Sequence, residues 1–402
     1  MRVSIEQRLE RPRWLVVAVP VGSVVAAFLI AAVVLAATGH DPISTYKQLF
    51  QAGFLQQGSL TQTLSMATPL AFTGLAAAAA FRMKLYNIGA EGQMYMGTVL
   101  GAGAGLYFGG RGGPSVFVIG AMVIGGAVGG AGWALIPGIL RAFFKASEIL
   151  TSLLLNYVAG LLLTYLIFES ESYWRQTTGF NATVFPTGKP LPSSAIWPKW
   201  VLGVQGGLTL PLGAFFAVAC ALVLWVAYRR TRFGFEVQVA GDSERAARYA
   251  GVRMRRKVLA VMALSGGIAG IGGASYVGDF SHSLDGDPNG LQKLGYGYTG
   301  IVVAALGRYN PFAVVLIAFL LGGLDNAGNT LQGANFPAGL VGVVQGIILF
   351  SVLGGELLSR YRVRATGRPK PTAGANRGPA KLEPTNSGPL ETSGRPAPEV
   401  LA

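Results

Sequence analysis

The sequence of 402 residues is poor in the side chains that build cross-links and metal sites. It contains one cysteine, Cys220, and two histidines, His40 and His282, which lie far apart in the chain. A single thiol excludes an intrachain disulfide framework and a thiolate metal cluster. Two distant histidines argue against a histidine-based metal site or catalytic dyad, so we expect no metal in this chain.

Charge is scarce as well. Asp, Glu, Lys and Arg make up only 12% of the residues, whereas a soluble domain carries about 25%. The hydrophobic share is 51%, and the formal net charge is +14. A soluble protein of this size needs more charge to cover its surface, so the composition indicates an integral membrane protein. We therefore expect a lipid environment and no nucleic-acid partner, despite the basic balance.

The motifs of nucleotide chemistry are missing or incomplete. No G-x-x-x-x-G-K-[ST] loop occurs, so we expect no ATP hydrolysis by this chain and no bound cofactor. Gly295–Gly300 matches G-x-G-x-x-G, but it opens an apolar stretch and the next acidic residue is Asp325. Leu264–Gly267 imitates the signature of ABC ATPases, yet it lies inside an apolar run. We interpret both as helix-packing sequences and predict that the chain is not an enzyme.

Long uncharged stretches dominate what remains. They predict an all-α, polytopic membrane bundle of about ten transmembrane helices between residues 14 and 358. The predicted spans are 14–37, 60–81, 88–108, 115–140, 149–168, 208–228, 258–280, 295–308, 311–328 and 337–358.

The distribution of charge gives the orientation. With residues 1–13 inside, the segments assigned to the cytoplasm carry 21 Lys and Arg, against 6 in those assigned outside. This bias predicts that both termini are cytoplasmic. Residues 169–207 then form an outside loop, in which Trp174, Trp197 and Trp200 are expected at the membrane interface. Residues 229–257 form a basic inside loop, and 359–402 a proline-rich cytoplasmic tail predicted to be disordered.

The 58 glycines fall mostly inside the predicted spans, often at four-residue spacing. Small residues at this spacing let helix backbones approach closely in a membrane. The spaced glycines are Gly97, Gly101, Gly105, Gly109, Gly125, Gly126, Gly129 and Gly130.

The inside loop contains a pattern typical of a short, well-capped helix. Asp242 or Ser243 can cap its start, and Gly251 can end it. A basic loop could simply be attracted to anionic lipid, but its capping favours a docking helix for a cytoplasmic partner. The candidate docking residues are Gly241, Asp242, Glu244, Arg245, Ala246, Ala247, Arg248, Tyr249 and Gly251.

Several polar side chains lie in or near the spans and are candidates for a translocation pathway. Buried polar groups in a membrane are expensive, and interhelical hydrogen bonding is the alternative role for each of them. The candidates are Asn87, Glu91, Gln93, Asn156, Asp325, Asn326, Gln332 and Gln345.

Four segments together resemble the permease subunits of bacterial ABC importers for simple sugars and nucleosides. They are residues 87–93, 147–157, 241–251 and 306–311. The resemblance implies a permease in the bacterial cytoplasmic membrane that forms the pathway with a second permease subunit in a heterodimer. It also implies an extracytoplasmic solute-binding protein and a separate ATPase that binds ATP and Mg²⁺ and receives residues 241–251 as a coupling helix.

Two other classes compete with this interpretation. A secondary transporter driven by an ion gradient would need membrane carboxylates organised around an ion, for which Asp279 and Asp325 are the deep candidates. A membrane enzyme would need a nucleophile, metal ligands or a cofactor loop, none of which the sequence pattern supplies.

Overall fold

Helices form nearly all of the regular structure in a computed structural model of the chain. The model describes residues 2–7, 13–178, 186–203, 208–286, 291–332 and 339–366. The helices are α1 Arg13–Ala37, α2 Pro42–Phe50, α3 Ser59–Phe81, α4 Ala90–Gly109, α5 Ser115–Phe144, α6 Glu148–Thr164, α7 Leu212–Arg230, α8 Arg232–Asp242, α9 Glu244–Tyr249, α10 Met254–Tyr276, α11 Leu291–Leu294, α12 Tyr296–Leu306, α13 Pro311–Leu331 and α14 Gly339–Arg360. The chain divides into a large helical unit, 12–357, and a small unit formed by 1–11 and 358–402.

Within the described residues, six helical segments are long and apolar enough to cross a membrane. They are Ser59–Phe81, Ser115–Phe144, Glu148–Glu169, Leu212–Arg230, Met254–Ser281 and Pro311–Leu331. A seventh candidate is the pair Gly22–Ala37 and Pro42–Leu55, which is bent by 117° at its break. The chain therefore has the helices of a multi-pass membrane protein, while the count of ten spans stays a prediction.

The predicted span 295–308 contains only a short helix. The helix α12 has 11 residues, about 16 Å, which is too short for a hydrocarbon core of about 30 Å. Gly295 precedes it with φ of +60°, a left-handed conformation that favours glycine, and separates it from the four-residue α11. The chain thus begins a helix at this point instead of continuing one.

Glycine determines how α5 packs. Gly126 and Gly130 face α10, where a Cβ on either would overlap the backbone of Gly270 or Gly266. Gly125 and Gly129 lie one residue earlier and face the backbone of α4 in the same way. The two four-residue series predicted from the sequence are therefore confirmed as packing surfaces, and each serves a different neighbouring helix.

The glycine series of α4 is buried too. A Cβ at Gly97 would overlap the backbone of Gly270, and one at Gly101 would press on Ala274, both on α10. Gly105 and Gly109 are buried against the segment 191–195. The helices α4, α5 and α10 consequently form a tightly packed group in which backbones meet directly.

The loop 169–207, predicted to lie outside, is more closely packed than expected in its described part. Trp197 is 1% exposed, and its backbone N–H donates to the Gly278 carbonyl at 3.0 Å. The interfacial placement predicted for Trp197 is therefore wrong, because this ring fills space beside a glycine at the end of α10. Trp174 is half-buried and donates from Nε1 to the Val99 carbonyl at 2.9 Å, whereas Trp200 is exposed.

Two small antiparallel ladders modify the all-α prediction. In the helical unit, β2 (Lys199–Leu202) pairs with β3 (Leu208–Pro211). In the small unit, β1 (Arg2–Gln7) pairs with β4 (Tyr361–Thr366). The tail predicted from residue 359 thus begins too early, since the end of α14 and then β4 occupy residues 359–366, where Tyr361 and Val363 favour a strand. Residues 367–402 lie outside the described part of the chain.

The close approach of α5 and α10 gives the first prediction. Replacing Gly130 by Ala should lower the free energy of unfolding by about 1–3 kcal/mol, because the new Cβ overlaps the Gly266 backbone. The melting temperature of the purified protein in detergent measures the effect.

Gly132→Ala is the matched control, since this glycine of the same helix has nothing within 4 Å of a new Cβ. It should leave stability unchanged or raise it through better helix propensity. Equal melting temperatures for both variants would show that the backbones do not need to touch.

Candidate functional site

Two buried amides join the loop before α4 to two other helices. Asn87 Nδ2 donates to Gln93 Oε1 and Gln93 Nε2 donates to Asn87 Oδ1, each at 2.9 Å. Asn87 Nδ2 also donates to Ser265 Oγ at 2.9 Å, and Ser265 Oγ donates to the Ala76 carbonyl at 2.7 Å. Asn87 and Gln93 are 0% and 1% exposed. The pair therefore ties α3, α4 and α10 together in a region without solvent.

Glu91 provides a hydrogen-bond acceptor at the start of the short helix α12. It is 2% exposed, although it stands in the first turn of α4. One carboxylate oxygen accepts from Tyr95 Oη at 2.5 Å, and the other accepts from the backbone N–H of Gly297. The first N–H groups of a helix have no acceptor inside it, and a carboxylate there is favoured by the helix dipole. Glu91 is thus a cap that reaches from one helix to another.

The Gly295–Gly300 motif is explained by this contact. A Cβ on Gly297 would overlap Glu91, and a Cβ on Gly300 would overlap Thr73 of α3. Thr73 Oγ1 also donates to the Tyr296 carbonyl at 2.8 Å. These glycines let α12 lie against α3 and α4, as the interpretation of the motif as a packing sequence predicts.

One face of α6 holds the backbone of residues 86–92. Ser152 Oγ accepts from the Ile88 N–H at 3.2 Å. Asn156 Oδ1 accepts from the Gly92 N–H and Asn156 Nδ2 donates to the Ile88 carbonyl, each at 2.9 Å. Glu148, one turn earlier, accepts from the Tyr86 N–H at 3.4 Å and pairs with Arg141 at 3.3 Å. Two of the segments that carry the family resemblance are therefore the two sides of one contact.

The remaining pathway candidates lie elsewhere. Asn326 is 2% exposed, and its Nδ2 donates to the Ser59 carbonyl at 3.0 Å and to Thr63 Oγ1 at 3.1 Å. Asp325 is half-buried and Gln332 is exposed at the end of α13, while the Gln345 side chain lies outside the described part of the structure. The structure therefore groups Asn87, Glu91, Gln93 and Asn156 but not the other four.

Asp279 repeats the role of Glu91 at another helix. It is 0% exposed, and its Oδ2 accepts from the Gly213 N–H in the first turn of α7 and from Ser275 Oγ, each at 2.9 Å. The sequence marks Asp279 as a deep carboxylate but gives no sign of its partner, because Gly213 lies 66 residues earlier in the chain. This second cap favours a structural role over an ion site, and no group of three His, Cys, Asp or Glu suited to a metal occurs in the described residues.

The segment 229–257, predicted to lie inside, contains two helices where one was predicted. Gly241 and Asp242 end α8, and Ser243 in extended conformation separates α8 from α9 and caps the latter through Oγ. Of the two caps that the sequence offers, the structure uses Ser243 and not Asp242. Gly241 is buried and packs so closely that a Cβ there would overlap the Arg82 carbonyl. Gly251, with φ of +79°, follows the helix as expected.

The six residues of α9 have a clear inner and outer side. Ala247 is 0% exposed and anchors the helix, so it is not available to a partner. Arg245 and Ala246 are exposed, and Tyr249 is 97% exposed. Arg248 pairs with Glu244 at 2.5 Å along the helix surface.

An ion-pair cluster fixes α8 beside α10. Glu236 accepts from Lys257 at 2.5 Å and from Arg232 at 2.9 Å. The hydrogen bond from Lys257 is the main cause that lowers the pKa of the Glu236 carboxyl. The short α9 follows α8 directly and is thereby attached to a helix that these ion pairs hold in place.

A cavity of about 1170 Å³ opens beside α9, at the ends of α3, α5 and α10. Its lining contains two acidic side chains, Asp242 and Glu244, and seven basic ones. The basic residues are Lys84, Arg141, Lys145, Arg248, Arg253, Arg255 and Arg256. The excess of positive charge suits an acidic surface on whatever binds here.

The cap on α12 gives the second prediction. Glu91→Gln should lower the free energy of unfolding by about 1–3 kcal/mol, because its NH2 group would face either the Tyr95 hydroxyl or the Gly297 N–H and leave that donor without an acceptor. Thermal unfolding in detergent checks this, with the exposed Glu169→Gln as control. An unaltered melting temperature together with lost transport would instead show that Glu91 acts in transport and not as a cap.

Known proteins match this chain over the helices and contacts described above. The family model described as the branched-chain amino acid transport system permease component matches residues 59–353. The chain is 32% identical over 370 residues to the glucose ABC transporter permease protein TsgB13 of Haloferax volcanii, covering 90% of this chain and 94% of that protein. It is 30% identical to the guanosine ABC transporter permease protein NupP of Bacillus subtilis, covering 86% and 94%.

The nucleoside ABC transporter permease protein NupB of Lactococcus lactis is 29% identical, with 84% of this chain and 90% of that protein covered. The family match covers most of the helical unit, including the glycine crossings, the Glu91 cap and α9. The chain therefore belongs to the family of permease components of ABC transport systems described by the branched-chain amino acid permease model.

Proposed function

We propose that this chain is the permease subunit of an ATP-driven importer for a nucleoside or a simple sugar. The names of its relatives, which specify glucose, guanosine and nucleosides, support this class of solute. A second permease subunit would complete the pathway in a heterodimer, and an extracytoplasmic binding protein would deliver the solute.

The observation that carries the proposal is the capped helix α9 beside a basic cavity. Its exposed Arg245 and Tyr249 present a small surface, while buried Ala247 and the clamped α8 connect it to the membrane helices. We propose that a separate ATPase subunit, which binds ATP and Mg²⁺, docks on α9 and places acidic groups toward the cavity. Movement of the ATPase would then reach the bundle through α8 and α10.

The topology of ten spans with cytoplasmic termini belongs to the same proposal. The pairing of β1 with β4 supports an even number of crossings, because it joins segments near the two ends of the chain. The concentration of Lys and Arg in the segments assigned inside supports the cytoplasm for that side, and hence the cytoplasmic membrane.

A transport assay tests the proposed class. Proteoliposomes containing the chain with its co-purified partner subunits and the binding protein should take up guanosine or glucose only when ATP is supplied with the ATPase. Uptake by this chain alone, driven by a proton or sodium gradient and indifferent to ATP, would overturn the proposal in favour of a secondary transporter.

The docking surface gives the third prediction. Arg245→Glu combined with Tyr249→Ala should reduce permease-stimulated ATPase activity at least about tenfold, the loss expected when contacts worth about 1.4 kcal/mol are removed. Both side chains are exposed, so the variant should fold normally in detergent.

Arg230→Glu is the matched control, because it reverses an exposed cytoplasmic charge that is not on α9. It should keep normal stimulation. Full stimulation in the double variant would show that the ATPase docks elsewhere.

A further inference from the structure

Two tyrosines on the surface of the helical unit lie at the level of the hydrocarbon core of a membrane and not at its edges. Tyr157 on α6 is 65% exposed and Tyr298 on α12 is 40% exposed. Tyr157 lies nine residues beyond Glu148 in the candidate span Glu148–Glu169, hence about 14 Å along it and near the middle of the hydrocarbon core. Tyr298 lies eight residues before the end of α12, or about 12 Å from that end.

Lipid is a poor neighbour for such side chains. Tyrosines that face lipid concentrate at the two membrane interfaces, where the hydroxyl can reach water. A hydroxyl in the hydrocarbon interior without a partner is costly. The positions of Tyr157 and Tyr298 therefore favour a face that meets water or protein.

Hydrogen bonds between helices hold this face together. Asn156, which is 4% exposed, donates from Nδ2 to Tyr298 Oη at 3.3 Å, so α6 and α12 meet directly at this level. Gln292 of α11 donates to the Gly160 carbonyl at 3.2 Å and to Thr164 Oγ1 at 2.9 Å. The segments before and after the helix break are thus both attached to α6.

A broken helix at this depth has a chemical consequence. Transporters use the ends of interrupted helices near the midplane to form solute sites, and here Tyr298 is in the first turn of such a helix. Its hydroxyl oxygen accepts from Asn156, which still allows the hydroxyl hydrogen to be donated. The two aromatic rings offer faces on which a nucleobase or the apolar face of a sugar ring can stack.

We infer that Tyr157 and Tyr298 form a solute-contacting pair that lines the passage at mid-membrane depth. The inference rests on the proposed permease function, since the second permease subunit would supply the opposite wall. The ligand class is a neutral molecule with a flat or apolar face and hydroxyl groups, as in nucleosides and hexoses. Solute contact is assigned to this exposed pair, while the buried Asn156 is a positioning residue for Tyr298.

Cysteine labelling tests the water exposure without requiring transport. In a Cys220→Ser background, which removes the single natural thiol, Tyr157→Cys and Tyr298→Cys should react with a water-soluble methanethiosulfonate in membranes of cells producing the full transporter. Val128→Cys is the control, because Val128 is 60% exposed near the middle of α5 and should face lipid. A thiol in lipid cannot ionise and reacts poorly. Equal labelling of all three positions, or none at Tyr157 and Tyr298, would overturn the inference.

Uptake kinetics test the contact itself. In the assembled transporter, Tyr157→Ala and Tyr298→Ala should each raise the KM for guanosine or glucose uptake about three- to tenfold, the range expected for loss of aromatic stacking. Tyr157→Phe should retain most of the affinity. Tyr165→Ala is the control, because Tyr165 is 54% exposed at the outer part of the same span.

The control Tyr165→Ala should keep wild-type uptake kinetics, basal ATPase activity and detergent stability. Wild-type kinetics in both alanine variants would overturn the assignment while leaving the permease function intact. Absence of uptake by the wild-type complex would instead refute the proposed function, and labelling would still report whether the face is wet.

Discussion

The structure depends on supplying hydrogen-bond acceptors to α12, a helix that begins where no water is available. The start of α12 exposes backbone N–H groups inside the bundle, and an unpaired group there costs several kcal/mol. Glu91 accepts one of them from a neighbouring helix, and Tyr95 supports the carboxylate. Because that contact requires α4 to be held in place, the amides of Asn87, Gln93 and Asn156 are part of the same requirement.

Polar side chains in the spans consequently divide into two kinds. Asn87, Glu91 and Asn326 are buried and form hydrogen bonds with other helices, and buried Gln93 holds Asn87 in place. Tyr157 on α6 and Tyr298 on α12, by contrast, are exposed. Polarity alone therefore does not separate the residues that hold the helices from those that are open to a solute, whereas exposure does.

The sequence predicts the features that depend on local pattern. The positions of the long apolar helices, the glycine series and the presence of a capped helix near residue 245 all follow from spacing and capping rules. Partners distant in sequence are not predictable in this way, because nothing in residues 87–93 indicates that Glu91 meets Gly297. The same limit explains Trp197, whose burial depends on a glycine about 80 residues later, and Ala247, whose neighbours decide which side of α9 faces inward.

The crossing of α5 and α10 has a mechanical consequence. Where two backbones meet through glycines, no side chain lies between them that could change rotamer and let one helix slide past the other. The pair must move as one stiff block during any conformational cycle. A displacement applied at one end of this block should therefore reach its other end without being absorbed by side-chain rearrangement between the two helices.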